Sequence, residues 1–150
     1  MKIALDLGSQ TGYAVVLQSG AKMSGTLDYR PKKHENWSAR FDKLRRFLDN
    51  LEAIEDVEGV WYEEVRRHNG TDAAHIYGAF LGALTGWCDK RDVSCVGVAV
   101  GTIKKFATGK GNAGKGAMIA ACEDRFGVPP IDDNEADAVC LREYVLSGAL

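Results

Sequence analysis

The chain has 150 residues, 45% of them hydrophobic and 27% charged, the size and balance of one globular domain with its own core over residues 1–150. Nineteen Lys plus Arg against twenty-one Asp plus Glu give a formal net charge of −2, which excludes a uniformly basic coat for nucleic acid. The opening MKIALDLGSQTGYAV meets polar residues too early for a signal peptide or a membrane span, so a cytoplasmic protein with no membrane partner is expected.

In chain order, Lys2 to Leu7, Tyr13 to Gln18 and Lys22 to Asp28 are short apolar or alternating runs separated by Gly and Ser, the pattern of three strands in hairpin succession. Trp37, Phe41, Leu44, Leu48 and Leu51 recur at helical spacing and form the apolar stripe of a helix that carries Arg and Lys on its other face. Val57 to Tyr62 reads as a strand, Thr71 to Lys90 as a helix and Val93 to Val100 as a fifth strand. Thr102 to Ala107 then gives a helical turn, Ala113 to Phe126 a helix stopped by Gly127 and two prolines, and Asn134 to Leu146 a last helix. A three-strand meander followed by alternating helices and strands predicts an α/β fold with a mixed five-stranded sheet flanked by helices. The cysteines, Cys88, Cys95, Cys122 and Cys140, form no C-x-x-C pair and have no His at zinc spacing, so they are expected as thiols in a reducing compartment.

The near-neutral total conceals blocks. Tyr29 to Arg46 sums to +5, Phe47 to Glu64 to −7, Gly101 to Met118 to +4 through lysines alone, and Ile119 to Leu150 to −5. Solvated helix faces account for residues such as Asp49 and Glu52, whereas the lysine-only, Gly-rich stretch suits phosphate contacts. Asp6 interrupts an otherwise apolar first strand, and Glu63 ends an apolar fourth one. A carboxylate is expensive to desolvate in such places unless a partner or a metal meets it. A third acidic group, Asp132-Asp133-Asn134-Glu135-Ala136-Asp137, opens the last helix, where Asp133 or Asn134 can share a face with Asp137. Acids at a helix start also favour its dipole, but carboxylates from two strand ends and one helix start form a set suited to Mg²⁺, which takes oxygen ligands and leaves waters for a phosphate substrate.

Ala4-Leu5-Asp6-Leu7-Gly8 with Gly12, then Tyr62-Glu63-Glu64-Val65, then Glu135-Ala136-Asp137-Ala138, in this order of elements, resembles the RuvC-type Holliday-junction resolvases of the ribonuclease H-like fold, their phage-encoded branch most of all. The start Asp72-Ala73-Ala74 and the run Gly78 to Ala83 of the second helix extend the resemblance over nearly the whole chain. It implies a metal-dependent endonuclease that resolves four-way or branched DNA by paired nicks, acting as a homodimer with Mg²⁺, for which Mn²⁺ can substitute. It further implies that Asp6, Glu63 and Asp137 are metal ligands and that Lys104 and Lys115 lie near the scissile phosphate, with Lys105 and Lys110 on the DNA backbone. The family's fourth ligand falls on Asn134, whose amide oxygen can bind a hard cation without contributing charge, which leaves Asp133 as the alternative. Where the family carries an aromatic wedge, this chain has Val65-Arg66-Arg67-His68, in which Arg66, Arg67 and His68 can stack on bases or clamp phosphates. Gly78, Ala79, Gly82, Ala83 and Gly86, beside Phe80 and Trp87, form the candidate dimer surface.

Three other readings compete. Gly109 to Lys115 satisfies G-x-x-x-x-G-K, but Gly116 stands where a nucleotide-binding ATPase needs Ser or Thr for the metal, and the loop does not directly follow a strand. The same carboxylates would serve a ribonuclease H-like enzyme acting on RNA or on flaps. A junction-binding module without catalysis would follow if Asn134 has lost the metals.

Overall fold

Alternation along the first strand decides what each face of the sheet carries. The computed structural model describes residues 1–66 and 70–149, and in it β1 (Lys2–Asp6) sends Ile3 and Leu5 to one face and Ala4 and Asp6 to the other. The strands β2 (Gln10–Val16) and β3 (Lys22–Asp28) continue from it as an antiparallel meander. On its other side β4 (Gly59–Glu64) and β5 (Ser94–Ala99) pair in parallel, which gives the order β3-β2-β1-β4-β5. The mixed α/β sheet expected from the sequence is present.

The Ile3 and Leu5 face is covered by α1 (Ala39–Glu52) and α2 (Thr71–Asp89), around a core that includes Val15, Phe41, Leu44, Leu48, Val60, Phe80 and Leu84. The Ala4 face is covered by α3 (Val100–Thr108), α4 (Lys115–Phe126) and α5 (Asp133–Leu146), and its core is built from smaller residues, among them Ala14, Cys122, Ala136, Ala138, Val139 and Cys140. Cys88, Cys122 and Cys140 are buried thiols and Cys95 is half-buried. No helix among the described residues is long and apolar enough to cross a membrane.

Several boundaries differ from the sequence reading. β2 begins at Gln10, so Gly12 lies inside a strand rather than in the preceding turn. β4 runs over Gly59–Glu64 instead of 57–62, which places Glu63 within the strand. The turn expected at 102–107 is a nine-residue helix that starts at Val100, and α4 starts at Lys115 because Gly114 is still extended. Trp37 precedes α1 and is 52% exposed, so it does not belong to the buried stripe formed by Phe41, Leu44, Leu48 and Leu51.

The last helix, α5, is seated directly on the backbone of β2. Asp132 caps the helix: its carboxylate accepts from the Glu135 N–H at 2.9 Å and from the Thr26 hydroxyl at 2.6 Å. The buried Glu135 accepts from Ser24 Oγ at 2.6 Å and reaches back to accept the Ile131 N–H at 2.8 Å, a variant of the capping box. With Lys22 bonded to Glu143 at 2.9 Å, the alternate β3 residues Lys22, Ser24 and Thr26 grip α5 and its cap. Beneath the helix, Ala4 and Ala14 pair across β1 and β2, and at Gly12 there is no room for a side chain, since a Cβ would stand 1.9 Å from the Asn134 carbonyl oxygen. Gly12→Ala should therefore destabilise the protein by about 3 kcal/mol, as overpacking against backbone does. A lowered urea midpoint at unchanged slope is the expected reading, and an unchanged midpoint would show that α5 does not need this contact.

Candidate metal centre

Register and helix docking together assemble the acidic site. Leu5 pairs with Tyr62 across β1 and β4, so the next step along these parallel strands sets Asp6 beside Glu63 on the face that α5 covers. Asp137 comes down from the second turn of α5, above the pairing of Asp6 with Gly12. One carboxylate oxygen from each of Asp6, Glu63 and Asp137 lies within 4.8 Å of the others. The backbone around them is fixed by two hydroxyls. Tyr77 Oη donates to the Glu63 carbonyl at 3.0 Å and accepts from the Val65 N–H at 3.2 Å, while Thr11 Oγ1, fully buried, donates to the Gly8 carbonyl at 2.7 Å and holds the turn that follows Asp6.

Electrostatically the group is held in an unfavourable state. Burial, then the Glu63 carboxylate beside it, pushes Asp6 well above the usual carboxylate range, and the two share a side-chain hydrogen bond. Burial also raises Glu63, opposed by its hydrogen bond with Asp6 and by the charge of Lys104. Asp137 is pushed up to about 7, by burial first and Glu63 second, with Lys104 and Lys115 pulling the other way. Its Oδ1 is buried with no hydrogen-bond partner. A buried, orphaned carboxylate oxygen facing two more carboxylates fits a hard divalent cation, which takes oxygen ligands and offsets their repulsion.

The remaining residues singled out in the sequence fall around this centre in different ways. Lys104, half-buried on α3, acts electrostatically on Glu63 and Asp137. Lys115, exposed at the first turn of α4, forms an ion pair with Asp133, which holds the Asp133 carboxyl below its usual range. Asp133 is thus turned to Lys115 rather than joined to the three-carboxylate cluster, although its charge is felt by Asp6 and Asp137. Asn134 is half-buried, and its backbone carbonyl is the group that packs on Gly12. Lys105 is exposed and lines an open cleft with Phe106 and Tyr144, on another side of α3 from Lys104. Lys110 is exposed in the connection from α3 to α4. Arg66 is exposed beyond β4 and pairs with Glu64 at 3.1 Å, while Arg67 and His68 lie outside the described residues.

The structure also bears on two motifs singled out in the sequence, agreeing with the first reading and dividing the second. The stretch Gly109 to Lys115 joins helix α3 to helix α4, so it lacks the strand-to-helix geometry of a phosphate loop. On α2, Gly78, Gly82 and Gly86 are exposed with open space above them, whereas Phe80, Ala83 and Trp87 face the core. The stripe expected as one surface therefore splits between two sides of the helix. Sequence reading missed the Asp133–Lys115 pair, whose members are eighteen positions apart with no periodicity linking them, and it missed Tyr77, which looks like any apolar-face residue of a helix.

No protein-family model matches the chain, and comparison with curated proteins returns no match. Among solved structures it is similar to Thermus thermophilus RuvC in complex with a Holliday junction substrate, with 22% identity, 98% of this chain and 95% of that chain covered, and a TM-score of 0.75. A further structure of T. thermophilus RuvC gives 22% identity, coverage of 98% and 96%, and a TM-score of 0.69. The yeast mitochondrial Holliday junction resolvase Ydc2 gives 12% identity, coverage of 93% and 74%, and a TM-score of 0.60. The chain has the fold of these proteins.

The raised carboxyls set a pH dependence in metal-free protein. Between the ordinary carboxylate value and about 7 for Asp137, the folded chain holds protons that the unfolded chain has released, so this contribution is present at acid pH and is lost as pH rises. Relative to the parent in chelator, Asp137→Asn should gain stability on the order of 3 kcal/mol between about pH 4 and pH 7.5. Urea unfolding of both proteins across that range checks it, and a difference independent of pH would show that Asp137 is not raised.

Proposed function

We propose that the chain is a metal-dependent endonuclease that nicks four-way or branched DNA junctions, and that Asp6, Glu63 and Asp137 are its metal ligands. The observation that carries this reading is the convergence of three carboxylates, from β1, β4 and α5, in a fold shared with structures of junction resolvases. Mg²⁺ is the cation that suits an all-oxygen donor set, with Mn²⁺ as a substitute. A divalent cation held there supplies positive charge at the scissile phosphate and a more acidic water for hydrolysis.

The protein's own groups divide the remaining work. Asp6, Glu63 and Asp137 would hold the cation in their ionised form, so binding it would release protons that burial keeps on them. Lys104 stabilises charge that develops on the phosphate while also offsetting the repulsion among the carboxylates. Lys115 is the exposed ammonium offered to an incoming phosphate from the rim, and its release from Asp133 frees that carboxylate to supplement Asn134 beside the site. Arg66, Lys105 and Lys110 are exposed cations over which DNA would lie, and the resemblance assigns Arg67 and His68, outside the described residues, to the same contact. Paired cuts on a two-fold symmetric junction call for a two-fold dimer, and the exposed glycine side of α2 is the surface offered for it.

The test is a cleavage assay on labelled four-way junction, linear duplex, flap and RNA–DNA hybrid with Mg²⁺, Mn²⁺ or EDTA. Symmetric nicks in the junction, dependent on metal, are expected, and affinity for the junction should fall steeply with salt. Asp6→Asn and Asp137→Asn should each lower cleavage by at least about a hundredfold, since loss of groups that merely orient ligands already has effects approaching that size, while junction binding is kept. Equal cleavage of the hybrid would favour a ribonuclease, binding without cuts a junction-binding module, and activity in either Asn variant would overturn the ligand assignment.

A further inference from the structure

We infer that Trp37, Arg40 and Ser9 form a nucleotide subsite beside the metal centre, in which an unpaired base of the DNA strand stacks on the Trp37 indole and a phosphate is met by the Arg40 guanidinium. This rests on the junction-nicking reading and names a place on the protein for the strand that is opened.

The first observation is a buried cation that meets no counter-charge among the described residues. Arg40 is only 7% exposed, yet its side-chain hydrogen bonds go to neutral oxygens: Nε donates to the Trp37 carbonyl at 3.2 Å and Nη1 to Ser9 Oγ at 3.3 Å. The neighbouring cations Arg30, Lys43 and Arg45 each meet an acid, namely Asp28, Glu35 and Asp42. A desolvated guanidinium with no carboxylate is unfavourable until an anion completes it, and its planar fork matches a phosphate.

The second observation is an aromatic ring that is both exposed and held. Trp37 is 52% exposed, while its ring packs edge-on against Phe41 at 4.7 Å, and Phe41 packs in the same way on the fully buried Phe80 at 4.9 Å. The Arg40 guanidinium carbon lies 5.5 Å from the indole centroid. A large ring kept in water by a rigid aromatic support is a stacking platform for a base, and a cation at its edge adds to it.

Position supplies the third observation. Ser9 follows Asp6 by three residues, and its carbonyl accepts from the Tyr29 N–H at 2.7 Å, which ties the segment carrying Trp37 to the strand end that carries the first carboxylate. Gly8 and Ser9 also form one wall of a groove of about 300 Å³ whose other wall includes Val65 and Ile76, just beyond Glu63. The surrounding segment from Tyr29 to Arg46 carries a net charge of +5, complementary to a phosphate backbone.

Fluorescence anisotropy in EDTA, with a labelled four-way junction and a labelled oligothymidylate of about ten nucleotides, tests the subsite on the full chain. Trp37→Ala should weaken oligomer binding about tenfold and Trp37→Phe much less, both with an unchanged melting temperature. Arg40→Gln should lower the slope of log affinity against log salt by about 0.7 for the single strand. Unchanged affinity in Trp37→Ala, equal loss in the Ala and Phe variants, or loss that follows the melting temperature would overturn the subsite. Failure of the parent to bind the oligomer while it still binds the junction would also overturn the subsite but leave the junction reading standing. Failure to bind either would remove both.

Discussion

Three carboxylates of like charge are forced together at the ends of apolar strands, and much of the Ala4 face of the sheet follows from that. Bringing the third one in requires a helix to lie almost on the backbone of β2, so the residues beneath it are reduced to Ala4, Ala14 and Gly12. Small side chains there sacrifice hydrophobic burial for proximity, a loss offset by the polar grip of Lys22, Ser24 and Thr26 on α5. The lysines on α3 and α4 lie close enough to moderate the repulsion but do not join the cluster. The result is a cluster that retains protons, as expected where desolvation and like charges act in the same direction.

The two faces of the sheet divide the labour. The face under α1 and α2 is filled with Leu, Phe and Trp side chains and carries most of the large-residue burial, whose removal from water is the main stabilising term in folding. The opposite face, tiled with Ala, Cys and Val, buries less but admits the close helix. Communication between them runs through the strand ends: Tyr77, on the stabilising face, holds the Glu63 backbone, and Glu63 projects to the other side. The rigidity of one core is thereby lent to the geometry of the site.

The strand and helix order was legible because periodicity is strong where elements are half-buried, and Asp6 stood out because a carboxylate in KIALDL has no bland explanation that avoids a desolvation penalty. Glu63 and Asp137 could be found for the same reason, each being an acid at the end or start of an apolar element. Gly12 was misplaced because a glycine in a strand looks like a turn unless one knows what packs above it, and the Asn134 carbonyl comes from more than a hundred positions away. Trp37 fitted the helical spacing of Phe41 and Leu44, yet spacing cannot tell whether a helix has begun. The glycines and aromatics of α2 shared a spacing but not a side of the helix. Asp133 and Lys115 could be read singly but not as a pair, since tertiary contact alone joins them.

The bonds that seat α5 join residues 106 to 121 positions apart, and Asp137 lies on the last helix of the fold. A chain emerging from the ribosome presents Asp6 and Glu63 long before the element that bears the third carboxylate exists. Partial products of synthesis thus carry two of the three acids and no completed three-carboxylate cluster. The centre is complete only when the meander, β4 and the closing helix are all present, so shorter products lack it.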